Sequence, residues 1–468
     1  MPYRHFITFF IFTGVIHYGC AFTNNFQNEE FSKFNNQEPS TQALPASVNF
    51  SWEKYPFPKD YKEAYRYRTN TPSAQVVQFL NNATNDALRL SDPAQYLDNL
   101  TRIINSSTKD PFEKVKMVYD ATTLLLDYDV EALKNAHIPL QTWEEILTTK
   151  KTVCEGYAIL FKKICDLLNI PCETVPGFAQ GGLLPLTPQK ELVPNHAWNI
   201  VQINNFWYTI DCTWGSSAAD MLTQTQTRKY TTDWLFLNSD YFRYTHFPTD
   251  SNFQLANPKL NEAQFKSLPR LEPSFFEKYK LLTPLKSENK VQNAFEMKLK
   301  KNDSTKTQVL FFDYESGKSI QNKTLLDQKG DILSVTFNAP FPGTFLGVVT
   351  YNTEGNAYKG CAYFFVQTQS ASDVHYPVPL KTSAKDVEII SPLVELHADS
   401  TYDFKIKVSN KKYLLLSYNG KYTRMKSEGK GIFTQRLTIP HDAQSVTIQG
   451  SDTEYGQYEG IVKYFIRN

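Results

Sequence analysis

Thr152-Val153-Cys154-Glu155-Gly156-Tyr157-Ala158-Ile159-Leu160-Phe161 is the stretch around which the rest of the chain is organised. Tyr157, Leu160, Phe161, Ile164 and Leu168 recur at steps of three and four, which predicts a helix with one buried apolar face. Asn169 ahead of Ile170-Pro171 ends it. Thr152 and Glu155 stand at T-x-x-E spacing, so a capping box is expected at its start. Cys154 then lies in the first turn, where free N–H groups and the helix dipole favour an anion. A thiol placed there is expected to ionise below its free pKa of about 8.5 and act as a nucleophile. A buried structural cysteine fits these residues equally well, and the remainder of the chain has to separate the two readings.

The chain has 468 residues, more than one core organises, which suggests about three domains. Phe (33) and Tyr (27) are abundant enough for packed cores and β-structure. The net charge of +1 gives no basic field, so nucleic acid is not an expected partner. Cys165 and Cys172 stand in C-x6-C without a second pair, so no zinc site is expected, and no cofactor is implied.

Arg4 and His5 precede an apolar run from Phe6 to Ile16, too short to span a bilayer, and Gly19-Cys20-Ala21 suits cleavage after Ala21. Residues 1–21 are therefore expected to be a signal peptide. His17-Tyr18 ahead of Cys20 matches a lipoprotein site poorly. The expected product is secreted, with no transmembrane segment after signal removal. Sequons at Asn49, Asn82, Asn99, Asn105, Asn302 and Asn322 fit a glycoprotein. Without Cys20, Cys154, Cys165, Cys172, Cys212 and Cys361 remain. An odd number in an oxidising compartment leaves one thiol over, with Cys154 the natural candidate.

Residues 22–58 are rich in Asn, Gln, Glu, Ser and Pro and read as a polar flexible arm. Val76, Val77, Phe79, Leu80 and Leu88 suggest one helix, and Tyr96, Leu97, Leu100, Ile103 and Ile104 another. A third starts at Asp110-Pro111, and Trp143 to Leu147 makes a short one before the cysteine. From Glu173-Thr174-Val175, running into Pro176-Gly177, the pattern changes to strands, and residues 180–194 read as a loop. Asn195-His196-Ala197-Trp198-Asn199-Ile200-Val201 and Phe206-Trp207-Tyr208-Thr209-Ile210-Asp211 then flank Asn204-Asn205, a hairpin signal.

If Asn204-Asn205 is a two-residue loop, Ile203 pairs with Phe206 and Trp198 faces Asp211. His196 is then diagonal to Asp211 on the same face, at about 7–8 Å. A one-residue slip would put them on opposite faces. Cys154, His196 and Asp211 thus form a nucleophile, base and orienter set. His196 would take the thiol proton, and Asp211 would hold the imidazole tautomer.

Three blocks, Thr152 to Ala158, Asn195 to Asn199, and Trp207 to Gly215, resemble the motifs of the transglutaminase-like superfamily in the right order. Tyr128-Asp129 and Gln141-Thr142-Trp143-Glu144-Glu145-Ile146-Leu147 resemble the kyphoscoliosis-peptidase branch. So do Trp234-Leu235-Phe236-Leu237 and Thr245-His246-Phe247-Pro248-Thr249-Asp250 through Phe265-Lys266-Ser267-Leu268-Pro269. The resemblance covers about residues 95 to 270. It implies a papain-like α+β fold and a catalytic triad of Cys154, His196 and Asp211. A signal peptide departs from the largely intracellular proteins of that branch. No acidic calcium cluster stands out, and the oxyanion tryptophan of calcium-activated transglutaminases has no assignable counterpart here. Calcium-dependent crosslinking is therefore not expected. Trp198 and Trp214 are expected to pack around the triad.

Beyond residue 280 short alternating runs with turn residues between them suggest two β-sandwiches, which resemble the immunoglobulin-like repeats of the same branch. The expected layout is signal 1–21, arm 22–58, transglutaminase-like core 59–275, and sandwiches at 280–380 and 384–468. Cys361 is alone there, so no antibody-type disulfide is available.

The expected function is secreted cysteine acyl transfer on protein or peptide amides, as a peptidase or amidase. Two alternatives stand beside it: a non-catalytic adapter for extracellular-matrix or cell-surface proteins, and a protein-crosslinking transglutaminase. A peptide:N-glycanase shares the fold, but the paired zinc cysteines of that branch are missing.

Overall fold

The structure, a computed structural model, describes residues 57–134, 141–181, 192–220, 225–353, 357–380, 382–385 and 387–467. The expected signal peptide, all but the end of the polar arm, the Asn49 sequon and most of the loop at 180–194 lie outside them. The described chain forms two compact units, one mainly of residues up to Lys278 and one mainly of residues from Tyr279.

In the first unit, short polar side chains set the helix starts by accepting from backbone N–H groups that have no partner within the helix. Asn82 accepts from Thr84 and Asn85 and opens a helix at Ala83–Ser91. The pattern from Val76 to Leu88, expected as one helix, is therefore two, the first being Ala74–Leu80. Asp92 and Asp110 cap Pro93–Ser107 and Pro111–Leu125, each with proline in its first turn. Leu97, Leu100 and Ile104 of one and Phe112, Val115 and Tyr119 of the next join Leu160, Phe161 and Ile164 of the helix Cys154–Leu167 in a single core. Each such side chain contributes about 1.5–3 kcal/mol on burial, so the cysteine helix is fixed along its whole inner face.

Behind that helix stands a five-stranded sheet, antiparallel throughout, in the order Leu235–Leu237, Phe206–Ile210, His196–Ile203, Cys172–Ala179, His246–Pro248. Pro176-Gly177, into which Glu173-Thr174-Val175 runs, lies inside Cys172–Ala179. Gly177 is opposite His196 on one side and Pro248 on the other. A Cβ there would strike the Trp198 ring and come within 2.5 Å of the Phe247 carbonyl oxygen, so this crossing requires glycine. Asn199, fully buried, donates to the carbonyls of Ala158 at 3.1 Å and Glu173 at 3.3 Å. That amide fastens the His196 strand to the cysteine helix.

The second unit is all β. In its first sandwich, Thr307–Asp313, Gly343–Asn352 and Tyr358–Thr368 form one sheet with Glu288–Val291. Tyr279–Leu281, Ala294–Lys301, Ile332–Asn338 and Thr324–Lys329 form the other. Phe311 of one sheet stacks on Phe337 of the other, centroids 3.9 Å apart, at the centre of an aromatic core. The second sandwich packs Phe404, Ile406 and Phe433 against Leu414, Ile448, Val462 and Tyr464. The architecture is thus an α+β core followed by two immunoglobulin-like β-sandwiches, the fold class expected. All five described cysteines are thiols, Cys361 among them.

Candidate active site

The helix Cys154–Leu167 begins with Val153 in the cap position and no side-chain cap, so the expected Thr152–Glu155 capping box is not made. Thr152 belongs to a two-residue strand paired in parallel with Asp127–Tyr128, and its hydroxyl turns to the Gln141 side-chain amide oxygen, Oε1. A Cβ at residue 156 would collide with that hydroxyl, which accounts for the glycine two positions after the cysteine. Held by its strand, Thr152 cannot also reach the helix, and Glu155 stays exposed. The first turn at Cys154 is left without a carboxylate or hydroxyl from its own cap. Cys154 is half-buried, with Sγ 4.0 Å from the Asn195 carbonyl oxygen.

The hairpin has the expected register, with Ile203 opposite Phe206 and Asn199 opposite Ile210. Asn204 and Asn205 both have positive φ, 51° and 67°, as the mirror-image hairpin turn requires. Continuing that register puts Trp198 level with Asp211, so His196 is diagonal to Asp211. The two side chains meet: His196 Nε2 lies 2.8 Å from Asp211 Oδ2. Since Nε2 is taken by the carboxylate, Nδ1 is the ring nitrogen left for the thiol, and Cys154 is near enough to help raise the imidazole's pKa. Cys154, His196 and Asp211, expected together from the sequence, are brought together.

Asp211 is 1 % exposed and its carboxylate is engaged at both ends. Oδ1 accepts from the Trp214 backbone N–H at 3.0 Å, where Asp211 stands at the start of the helix Cys212–Ser216. Oδ2 accepts from His196 and also lies 3.1 Å from His246 Nε2. Burial alone would raise this carboxyl. The charge and hydrogen bond of His196, followed by the His246 hydrogen bond, instead hold it well below the usual carboxylate range. For His196 burial pulls down, but the Asp211 charge and hydrogen bond, with Cys154, push the imidazole up to about 10. His196 is thus poised to hold a proton as an imidazolium beside the Cys154 sulfur.

Aromatic rings wall the site. The His196 ring lies 5.4 Å from Trp214 and 6.2 Å from Trp198. Trp234 and Phe242 complete the enclosure around His246, with Phe242 stacked on that ring at 3.9 Å. Such walls exclude water and strengthen the ion pair inside. The His196, Asp211 and His246 donor atoms lie within 4.8 Å of one another, close enough for a cation to be considered. Both ring nitrogens sit at hydrogen-bond distance from one carboxylate oxygen, and the aromatic walls add no further donor. Hydrogen bonding accounts for the cluster.

His246, Trp234 and Phe242 are the site residues that sequence reasoning missed. His246 alternates with Pro248 on a three-residue strand, but its partner strand, Cys172–Ala179, is about seventy residues upstream. No turn fixes that register. His246 pairs with Ala179, two residues beyond the Gly177 that faces His196, so both histidines fall on one sheet face.

A model of the transglutaminase-like superfamily matches residues 98–212. Kyphoscoliosis peptidase of Mus musculus is 25% identical over 303 residues, 63% of this chain and 45% of that protein. Kyphoscoliosis peptidase of Homo sapiens is 30% identical over 182 residues, 39% of this chain and 28% of that protein. Lim and transglutaminase domain protein ltd-1 of Caenorhabditis elegans is 24% identical over 330 residues, 62% of this chain and 44% of that protein. The chain spans less than half the length of these curated relatives.

Proposed function

Its core is transglutaminase-like, of the kyphoscoliosis peptidase-like branch, and from that premise we propose that the chain is a secreted cysteine acyl-transfer enzyme acting on protein amides. The observation that carries this reading is the His196–Asp211 pair standing beside Cys154 at the tip of an uncapped helix. Cys154 gives its proton to His196, and the sulfur attacks the amide carbonyl carbon. The oxyanion forms next to the first-turn N–H groups, where negative charge is favoured. His196 returns the proton to the departing amine, leaving a thioester on Cys154. Asp211 stays ionised throughout and supports the imidazolium.

Water as the acceptor makes the enzyme a peptidase or amidase, and a protein amine makes it a crosslinker. Water is the acceptor we favour. Export rests on the pattern of residues 1–21 and on the sequons, of which Asn82 and Asn302 are exposed. The test incubates the secreted protein, and its Cys154→Ala form, with a native extracellular protein mixture. Mass spectrometry then reads the products. New termini or deamidated side chains that depend on Cys154 support hydrolysis, and isopeptide bonds redirect the reading to transamidation. Identical mixtures from both proteins would overturn acyl transfer and favour an adapter role.

A further inference from the structure

We infer that His246 is a positioning residue for the triad, its Nε2–H holding the Asp211 carboxylate in the orientation that His196 needs. This rests on the acyl-transfer reading above. His246 is 2 % exposed, lies on the sheet edge opposite the catalytic hairpin, and reaches the same Oδ2 atom that receives His196. With the Trp214 N–H on Oδ1, the carboxylate receives three donors from three separate elements. Rotation of the carboxylate would break all three.

The neighbours of His246 select one state of its ring. Trp198, Trp214, Trp234 and Phe242 surround it with centroids between 3.9 and 5.5 Å away, and the titratable groups facing it are Asp211 and His196. Burial pulls this imidazole down to about 4 despite the carboxylate, with the charge on His196 acting in the same direction. The ring is therefore neutral at physiological pH, and to donate to Asp211 it must carry its proton on Nε2. Nδ1 is then an acceptor, which requires the Thr245 hydroxyl, 2.8 Å from Nδ1 and 3.1 Å from the Phe242 carbonyl oxygen, to turn its one proton to the ring. The consequence is specific. A charged second histidine would compensate Asp211 and weaken its hold on His196. A neutral donor fixes the carboxylate and leaves its full charge to the catalytic imidazole.

The test has two arms. In the unaltered protein, 15N NMR of the histidine rings is expected to show His246 as the Nε2–H tautomer from pH 5 to 8, with no titration. An Nδ1–H ring, or an imidazolium at pH 6, overturns the inference. In the second arm, Cys154 alkylation is followed against pH for wild type, His246→Phe and His246→Gln. The phenylalanine fills the aromatic box but donates nothing, and it is expected to slow alkylation at pH 6 about tenfold. Glutamine places an N–H near the lost Nε2–H and is expected to restore most of the rate. An activated thiol whose profile His246→Phe leaves unchanged overturns the positioning role while the acyl-transfer reading stands. A wild-type thiol with an ordinary profile overturns that reading, and with it the positioning role.

Discussion

Two aspartates in the first unit are almost completely buried, and they do different things. Asp120 is 0 % exposed and Asp211 1 %. Asp120 receives Lys116 Nζ at 2.7 Å on both oxygens, the Tyr230 hydroxyl at 2.5 Å and the Ser73 N–H at 2.8 Å. Its carboxyl is nonetheless raised, because burial outweighs those partners. Asp211 is held low by two histidines, His196 before His246. Burial is common to both and so identifies neither as functional. The partner decides: a lysine on the same helix closes a structural ion pair, whereas an imidazole can take the proton of a thiol.

The sharpest way to break this contrast is to remove each carboxylate in turn. Asp211→Ala should slow alkylation of Cys154 at pH 6 by about 10²-fold or more, since the base loses its orienter. Asp120→Ala should leave that rate unchanged, yet cost about 3–5 kcal/mol of stability in denaturant unfolding by stranding a buried lysine. Equal kinetic losses at the two sites would remove the distinction. Replacing the Asp120 pair by Lys116→Met with Asp120→Leu should be neutral, or stabilise by about 1–4 kcal/mol. Calorimetry of the double variant checks this.

The pH dependence of stability separates the same regions. His196 binds its proton more tightly in the fold than its ordinary value of 6.5 allows. Its contribution is therefore complete below pH 6.5 and is lost as pH rises toward about 10. Asp211 and His246 act on the acid side. The Asp211 contribution is present above its ordinary value of 3.8 and lost as pH falls below it. That of His246 is lost as pH falls from 6.5 through about 4. Melting temperatures of wild type should decline on both flanks, and His196→Gln should flatten the alkaline one. Tyr230→Phe gives the smallest effect, about 1 kcal/mol from one lost hydrogen bond to Asp120, with no change in alkylation.

How much of this could be read from the chain depended on whether the contacts were local. The cysteine helix follows from its own periodicity, and the His196–Asp211 contact from a two-residue turn that fixes register within sixteen residues. The sandwiches followed from alternation, as at Thr401–Lys407, where buried Phe404 and Ile406 lie between exposed neighbours. Three features were not legible, because the deciding partner was remote or the local rule was outcompeted. Thr152 has a good capping neighbour, but a parallel strand pairing with Asp127–Tyr128 takes its backbone and Gln141 takes its hydroxyl. Nothing local to Pro176-Gly177 shows why a strand should carry glycine there; the crossing of Trp198 and Phe247 requires it. His246 reaches Asp211 only through the ordering of five strands.

The central claim is that Cys154 is activated by the His196–Asp211 pair. The direct measurement is the rate of Cys154 alkylation by iodoacetamide near pH 6, for the wild type and for His196→Ala. Wild-type Cys154 should react much faster than an ordinary exposed thiol, and His196→Ala should slow it by about 10²-fold or more. A wild-type rate no faster than that of an ordinary cysteine, unchanged in His196→Ala, would contradict the account.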